Sequence, residues 1–422
     1  MTIPYATLAG DPTSEARICW IDDSDGADGS EQTLDWDDGQ ESTDGDEVPG
    51  SDGDIYKYEV KLTDLEPESS YSGTIDGSES IDFETFPDGL GENRITISIV
   101  SDQHIDIEMV SGDAMQPLAD QEPDLLLIVG DVTSDGHEVN LSRATDWRDY
   151  WGDHIATLQD ESGKLVPTFC VPGNHEVGNG TDWDGLDDGD NTVDPETGYF
   201  QFFFDNVVDL DPEGENYGAI TIGDYLQVVG LDTHSAFIEE SADWLESAID
   251  ETVDVCLPIY HSALLQGGDR TDSDDELAAN LRHHWGPILA DADNIYTTFS
   301  GHFHVRKRSA RWTVVETEPD DYHFEVDGGF LTKVTDSNGI VEFGDGYRNN
   351  RQPYFDWYLV RSETDTEAFY SVEFGSGLTV NEIDADGTIR DTETFGPGTT
   401  AKRKVATLKD VEIANATFGV DQ

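Results

Sequence analysis

The sequence is poor in positive charge, poor in cysteine and without long apolar runs, and each shortage excludes something. Of 422 residues only 22 are lysine or arginine, against 92 aspartates and glutamates, which gives a formal net charge of −70. Nucleic acid is disfavoured as a substrate by that charge in dilute buffer, and stays a minor option in molar salt, which screens the repulsion. The three cysteines, Cys19, Cys170 and Cys256, lie far apart inside apolar runs. They exclude a disulfide framework and read as small core residues of a reduced protein. No stretch reaches the apolar length of a membrane span, so no membrane partner is expected. The opening Met1-Thr-Ile-Pro-Tyr has neither the basic start nor the apolar stretch of a signal peptide. The expectation is a soluble protein, either in the cytoplasm of a halophile that accumulates salt or leaderless and surface- or virion-associated.

Charge of this size strains a compact fold by self-repulsion in dilute buffer. At molar salt the Debye length falls to about 3 Å and the strain largely disappears. The acids are scattered through every segment, lysines are scarcer than arginines, and the apolar patterning survives between them. A disordered acidic tail would show one like-charge block with few aromatics. The charge therefore reads as a halophile's solvated surface. Its rival is calcium loading of acidic loops such as Thr181–Asp194, which lacks the Glu-terminated spacing of a calcium loop.

What the chain does contain is an ordered alternation of elements. Residues 1–88 read as an all-β unit. Ala16–Asp22, Tyr56–Leu62 and Ser80–Phe86 alternate apolar and polar residues between acidic, glycine-rich turns. Residues 87–93 read as a linker. From residue 89 to 375 the pattern is α/β. Apolar strands at Ile95–Val100, Leu125–Val129, Val166–Val171, Val253–Tyr260 and Ile295–Phe299 alternate with amphipathic helices around 105–121, 143–159, 236–250 and 276–291. An acidic insertion at 177–215 carries the aromatics Tyr199, Phe200, Phe202, Phe203 and Phe204. They read as a flap packed on the core, with a substrate-covering loop as the alternative. After residue 305 the chain turns β-rich again, with hairpins through Tyr354–Phe374 and Leu378–Phe395. Residues 376–422 form a β-rich extension ending in a basic tail at Lys402-Arg403-Lys404, a segment able to dock on acidic surface.

Each apolar strand of the middle region ends at an island of ligand-type residues: Asp102-x-His104, Gly130-Asp131, Gly173-Asn174-His175-Glu176, His261 and Gly301-His302-Phe303-His304. Carboxylates, an amide oxygen and imidazoles suit first-row divalent metals in hydrolytic sites. Their place, just past the C-terminal ends of successive strands, is where open α/β sheets gather their sites. His302 and His304 are two apart and would face opposite ways on a plain strand, so they must lie on a turn, with Gly301 permitting the bend. One isolated histidine is more often an ordinary residue, and His137, His154, His234, His283, His284 and His323 read so.

The islands, in this order, resemble the calcineurin-like metallophosphoesterase superfamily over residues 95 to 305. The resemblance implies an α-β-β-α core, a β-sandwich flanked by helices, that hydrolyses phosphomonoesters or phosphodiesters. It implies two divalent cations: Asp102, His104 and His304 hold the first, Asn174, His261 and His302 the second, and Asp131 bridges both. A hydroxide between the metals is the implied nucleophile, and His175 the residue that handles the leaving group's proton, oriented by Glu176 or Asp135. Arg306 and Arg308, in a rare basic cluster with Lys307 and Arg311, are candidates for steering phosphate. Leu62–Ser72 with the following FETF strand resembles a fibronectin type III-like (immunoglobulin-like) sandwich, an arrangement similar to purple acid phosphatases. Two departures matter: Ser134 stands where those enzymes place a tyrosine, and His104 where they lack a histidine. Both direct the metal choice to manganese, zinc or ferrous iron, with manganese favoured. The alternative is a structural component of a surface or virion assembly, joined through the N-terminal unit or the basic tail, whose phosphoesterase activity is accessory or vestigial.

Overall fold

The computed structural model describes residues 1–8, 10–105, 115–134, 140–176, 199–204, 217–233, 238–265, 272–304, 306–309, 312–315, 330–333, 340–344, 359–363, 368–375, 377–384 and 386–395. The mainly apolar runs Ile95–Val100, Leu125–Val129 and Pro167–Val171 become parallel neighbours in a ten-stranded sheet. Strands covered on both faces carry such runs in place of an alternation. A second, seven-stranded sheet runs Gly218–Ile222, Leu226–Leu231, Val255–Tyr260, Thr297–Ser300, Val341–Gly344, Arg306–Ser309 and Leu359–Glu363. The two sheets share one core, in which Ile97, Ile99, Leu126 and Ile128 of the first join Val228, Leu257, Ile259 and Phe299 of the second.

Helices complete the layers. Leu141–Asp149 opens with Asn140, whose side chain accepts from the Arg143 amide. It passes through a π-helical stretch, Tyr150–Ile155, into Ala156–Ser162, and packs Trp147, Tyr150, Trp151 and Leu158 into the main core. Ile238–Ala248, Asp272–His284 and Gly286–Asp291 cover a separate cluster with Leu231, Cys256 and Tyr260 of the second sheet. The aromatic residues Tyr199, Phe200, Phe203 and Phe204 form one short helix buried in the main core. The rest of the insertion, including the expected covering loop, lies outside the described residues, as do Asp135, Arg311 and the basic tail. Cys19, Cys170 and Cys256 are buried free thiols, and burial pushes Cys19 up to about 12.

Strand pairing crosses two expected boundaries and divides one expected hairpin. Residues 1–88 do not stand apart: Thr2–Thr7 pairs in parallel with Pro167–Val171, so the N-terminal strands extend the first sheet of the core. An open strand edge leaves a row of unpaired backbone groups, and Ala6 and Thr7 cover the start of that edge, at Pro167 and Thr168. The N-terminal strands Gly39–Thr43, Gln32–Trp36, Ser70–Ile75 and Glu79–Glu84 form their own sheet, packed through Leu34, Tyr71 and Phe83 onto Ile18, Trp20 and Val60. The boundary at 375/376 cuts a hairpin, since Leu378–Asp384 pairs along the whole of Ala368–Phe374, itself a neighbour of Ile95–Val100. Leu359–Glu363 and Ala368–Phe374 are not a hairpin either. The first joins Arg306–Ser309 in the second sheet, so the chain crosses from one sheet to the other between them.

Candidate metal centre

Five strands deliver their ligands within three residues of their ends: Val100 before Asp102, Val129 before Asp131, Val171 before Asn174, Tyr260 before His261, Ser300 before His302. The backbone then turns sharply. Asp102, His104, Asp131, His302 and His304 all adopt positive φ, between 42° and 70°. For residues with a Cβ this region costs of order 1–3 kcal/mol each and persists only where the surroundings over-determine it. Here they do. The Asp102 amide donates to the Gly130 carbonyl at 3.0 Å and the His104 amide to the Asp131 carbonyl at 3.1 Å. The His302 amide donates to both oxygens of Asp102, at 2.9 and 3.0 Å.

The bend at the last motif is thus made by the histidines themselves, a correction to the role expected of Gly301. Gly301 serves close approach: a Cβ there would lie 2.5 Å from Asp102 Oδ2. Gly130 does both jobs, with φ +83° and room for no Cβ against the Gly173 backbone and His261 Nδ1, each 2.7 Å or less away.

The side chains converge as two overlapping groups, Asp102, His104, Asp131 and His304, and Asp131, His261 and His302, with ligand atoms within 4.8 Å of one another in each. His304 Nε2 lies 3.2 Å from both His104 Nε2 and Asp102 Oδ1. His261 Nε2 lies 3.0 Å from Asp131 Oδ2, and His302 Nδ1 lies 2.9 Å from Asn174 Oδ1. Metal–ligand bonds of about 2.1 Å, set at right angles, place neighbouring ligand atoms about 3 Å apart, so these spacings fit a divalent cation. Outer contacts aim the rings. His261 Nδ1 donates to the Val129 carbonyl at 2.7 Å, which leaves Nε2 toward the cluster, and His104 Nδ1 meets the Ser134 hydroxyl at 3.0 Å.

Electrostatics agree. Burial pulls the His104 imidazole down to about 4, more than Asp131 restores, so it is neutral and able to ligate. Burial works against both carboxyls, yet the His261 imidazole holds Asp131 well below the usual range, and the His304 imidazole lowers Asp102. Imidazoles are the groups that lower both carboxylates.

Glu176 does not orient His175, as one of two expected orienters would. Its carboxylate accepts from the backbone amides of Asp131 at 2.7 Å, Val132 at 2.8 Å and Gly173 at 2.8 Å, clamping two ligand loops together. Burial and the nearby Asp131 raise it to about 7. His175 instead donates Nδ1–H to the Ser134 carbonyl, which directs Nε2 toward the cluster, 3.9 Å from Asp131 Oδ2. Its side chain is 24 % exposed, whereas the side chain of Asp131 is 1 % exposed.

The arginines require another correction. Arg306 is buried and pairs with Glu382 at 2.9 Å and with Asp384; Arg308 pairs with Asp391 at 3.1 Å and Glu393 at 2.9 Å. They join the second sheet to the C-terminal hairpin of the first, and are engaged by carboxylates rather than turned to phosphate. Lys307 points the other way, to Glu342 and the Leu265 carbonyl. Ser101, whose hydroxyl donates to Asp102 Oδ2 at 2.5 Å, was not singled out by sequence, nor was the Ser134 carbonyl, a backbone atom with no sequence signal.

No curated protein matches the chain. Residues 95–306, just over half of it, match the family model described as calcineurin-like phosphoesterase, an interval that opens at the first core strand and closes just past His304. With the buried aspartate and histidine cluster inside that interval, the chain belongs to the calcineurin-like phosphoesterase family, whose chemistry is metal-dependent hydrolysis of phosphate esters.

Proposed function

We propose that the chain hydrolyses phosphomonoesters or phosphodiesters with a pair of divalent cations. Asp102, His104 and His304 hold one, Asn174, His261 and His302 hold the other, and Asp131 serves both. The observation that carries the pairing is the position of Asp131. Its Oδ2 lies 3.0 Å from His261 Nε2 on one side and 3.7 Å from His104 Nε2 on the other. Bound there, the cations supply charge neutralisation and water made nucleophilic at neutral pH. Asn174 contributes a neutral oxygen, which limits negative charge at its position. Mixed imidazole and oxygen donors suit manganese, zinc or ferrous iron, and manganese is our preferred metal.

His175 acts at the exposed rim. With Nδ1–H fixed on the Ser134 carbonyl, Nε2 is the atom free to hold a proton for the leaving oxygen, or to bond an oxygen that gains charge in the transition state. Glu176 keeps the Asp131 and Asn174 loops in register throughout. For the N-terminal part we keep the fibronectin-like reading: the strand orders Thr2–Thr7, Ala16–Asp22, Tyr56–Leu62 and Gly39–Thr43, Gln32–Trp36, Ser70–Ile75, Glu79–Glu84 support a two-sheet sandwich.

The test is an assay of the full chain in molar potassium chloride after loading with manganese, zinc or ferrous iron. Paired aryl phosphate monoester and diester substrates are compared, with Asn174→Ala as the inactive control. Turnover of either ester that the substitution abolishes is expected. No turnover of either ester with any of the metals would contradict the proposal.

A further inference from the structure

Gln103 sits between two metal-ligand candidates, yet its side chain has no place in the cluster. It is 1 % exposed and turned inward, where its amide oxygen accepts from the Tyr150 hydroxyl at 2.9 Å and its amide nitrogen meets Met115 Sδ at 3.4 Å. Tyr150 is itself fully buried. The residues on either side of Gln103 are the strained ones, Asp102 at φ +52° and His104 at φ +42°. A three-residue stretch with two left-handed ends is held by its neighbours or not at all.

Tyr150 opens the π-helical turn Tyr150–Ile155. A π turn carries a surplus residue and interrupts the regular spacing of a helix, and such turns recur at functional sites. Here it sends Tyr150 to Gln103 and Trp151 onto Tyr5 of the first strand, with ring centres 3.9 Å apart and planes 20° from parallel. Tyr150 is further braced edge-on by Trp147 and Trp151. An apolar residue at 103 would fill the same space beside Met115 without burying an amide. The amide adds direction: one rigid hydroxyl fixes where the middle of the Asp102–His104 loop lies.

We propose that Gln103 and Tyr150 are positioning residues for the metal position formed by Asp102 and His104. The Tyr150 hydroxyl anchors Gln103, Gln103 pins the loop, and the loop aims its two ligands. This inference rests on the two-cation reading above.

The test measures manganese binding to the full chain by equilibrium dialysis. The Asn174→Ala background isolates the position of Asp102 and His104; the His104→Ala background isolates that of His261 and His302. Tyr150→Phe removes one oxygen and Gln103→Met keeps length and bulk, so both leave the packing filled. Outer contacts of this kind change metal affinity by about 10–100-fold when lost. Each substitution is expected to weaken manganese at least about tenfold in the Asn174→Ala background and to leave the other background unchanged. Together they should weaken it no more than either alone, because they break the same bond. Equal weakening in both backgrounds would mark a merely structural role and overturn the inference, as would unchanged affinity or additive losses. Absence of manganese binding by the unsubstituted chain would overturn the two-cation reading as well. Should Gln103→Met fail to fold, Tyr150→Phe alone in the two backgrounds decides.

Discussion

His175 differs from the residues around it in having one nitrogen tied to a carbonyl and the other at a rim that solvent reaches. That is the disposition of a proton donor to a leaving group, and it differs from a ligand's, which is buried with Nε2 among carboxylates as in His261. His175→Ala is therefore expected to retain both metals, measured as metal content per chain, while kcat falls by about 10²–10⁴-fold. Unchanged kcat would remove the role. The ligands' residue types and order were legible in the sequence because each island is local and stands at the end of an apolar run. Their backbone conformations were not. Positive φ at Asp102, Asp131 and His302 is imposed by contacts with residues 28 or more positions away, such as Gly130, Glu176 and Asp102, and no local pattern encodes it. Ser134 shows the same limit, since the atom that orients His175 is a main-chain oxygen.

At the scale of elements, the strand Arg306–Ser309 is riveted to the C-terminal hairpin by charge. Arg306 lies against Glu382 and Asp384, all three nearly inaccessible to water. Removing one partner of a buried pair leaves uncompensated charge inside the protein, at about 3–5 kcal/mol. Arg306→Met should therefore lower the thermal midpoint clearly while leaving KM of the surviving enzyme unchanged. A raised KM at an unchanged midpoint would restore Arg306 to the substrate. The strands before the ligands were readable to within a residue or two, as Ile95–Val100 and Leu125–Val129 illustrate. Sheet membership was less readable. Leu359–Glu363 and Ala368–Phe374 look like one hairpin by alternation, but their partners, Arg306–Ser309 and Ile95–Val100, lie far off in sequence and in different sheets. The same holds for Thr2–Thr7, whose pairing with the start of Pro167–Val171 no local pattern encodes.

For the whole molecule the dominant quantity is the net charge of −70, spread over a structure in which both sheets, their helices and the N-terminal strands meet in continuous cores. We propose that this surface is built for molar salt. The thermal midpoint should then rise steadily from dilute buffer to about 1 M potassium chloride, where the Debye length is about 3 Å. Full stability in dilute buffer without calcium would contradict that reading, and a rise produced by millimolar calcium alone would favour loaded acidic loops instead. The central claim, that Asp131 stands between two cations, is tested most directly by anomalous scattering at the manganese edge from crystals grown in molar salt and soaked in manganese. Two peaks about 3.5–4 Å apart on either side of the Asp131 carboxylate are predicted. A single peak, or none within reach of Asp131, would contradict it.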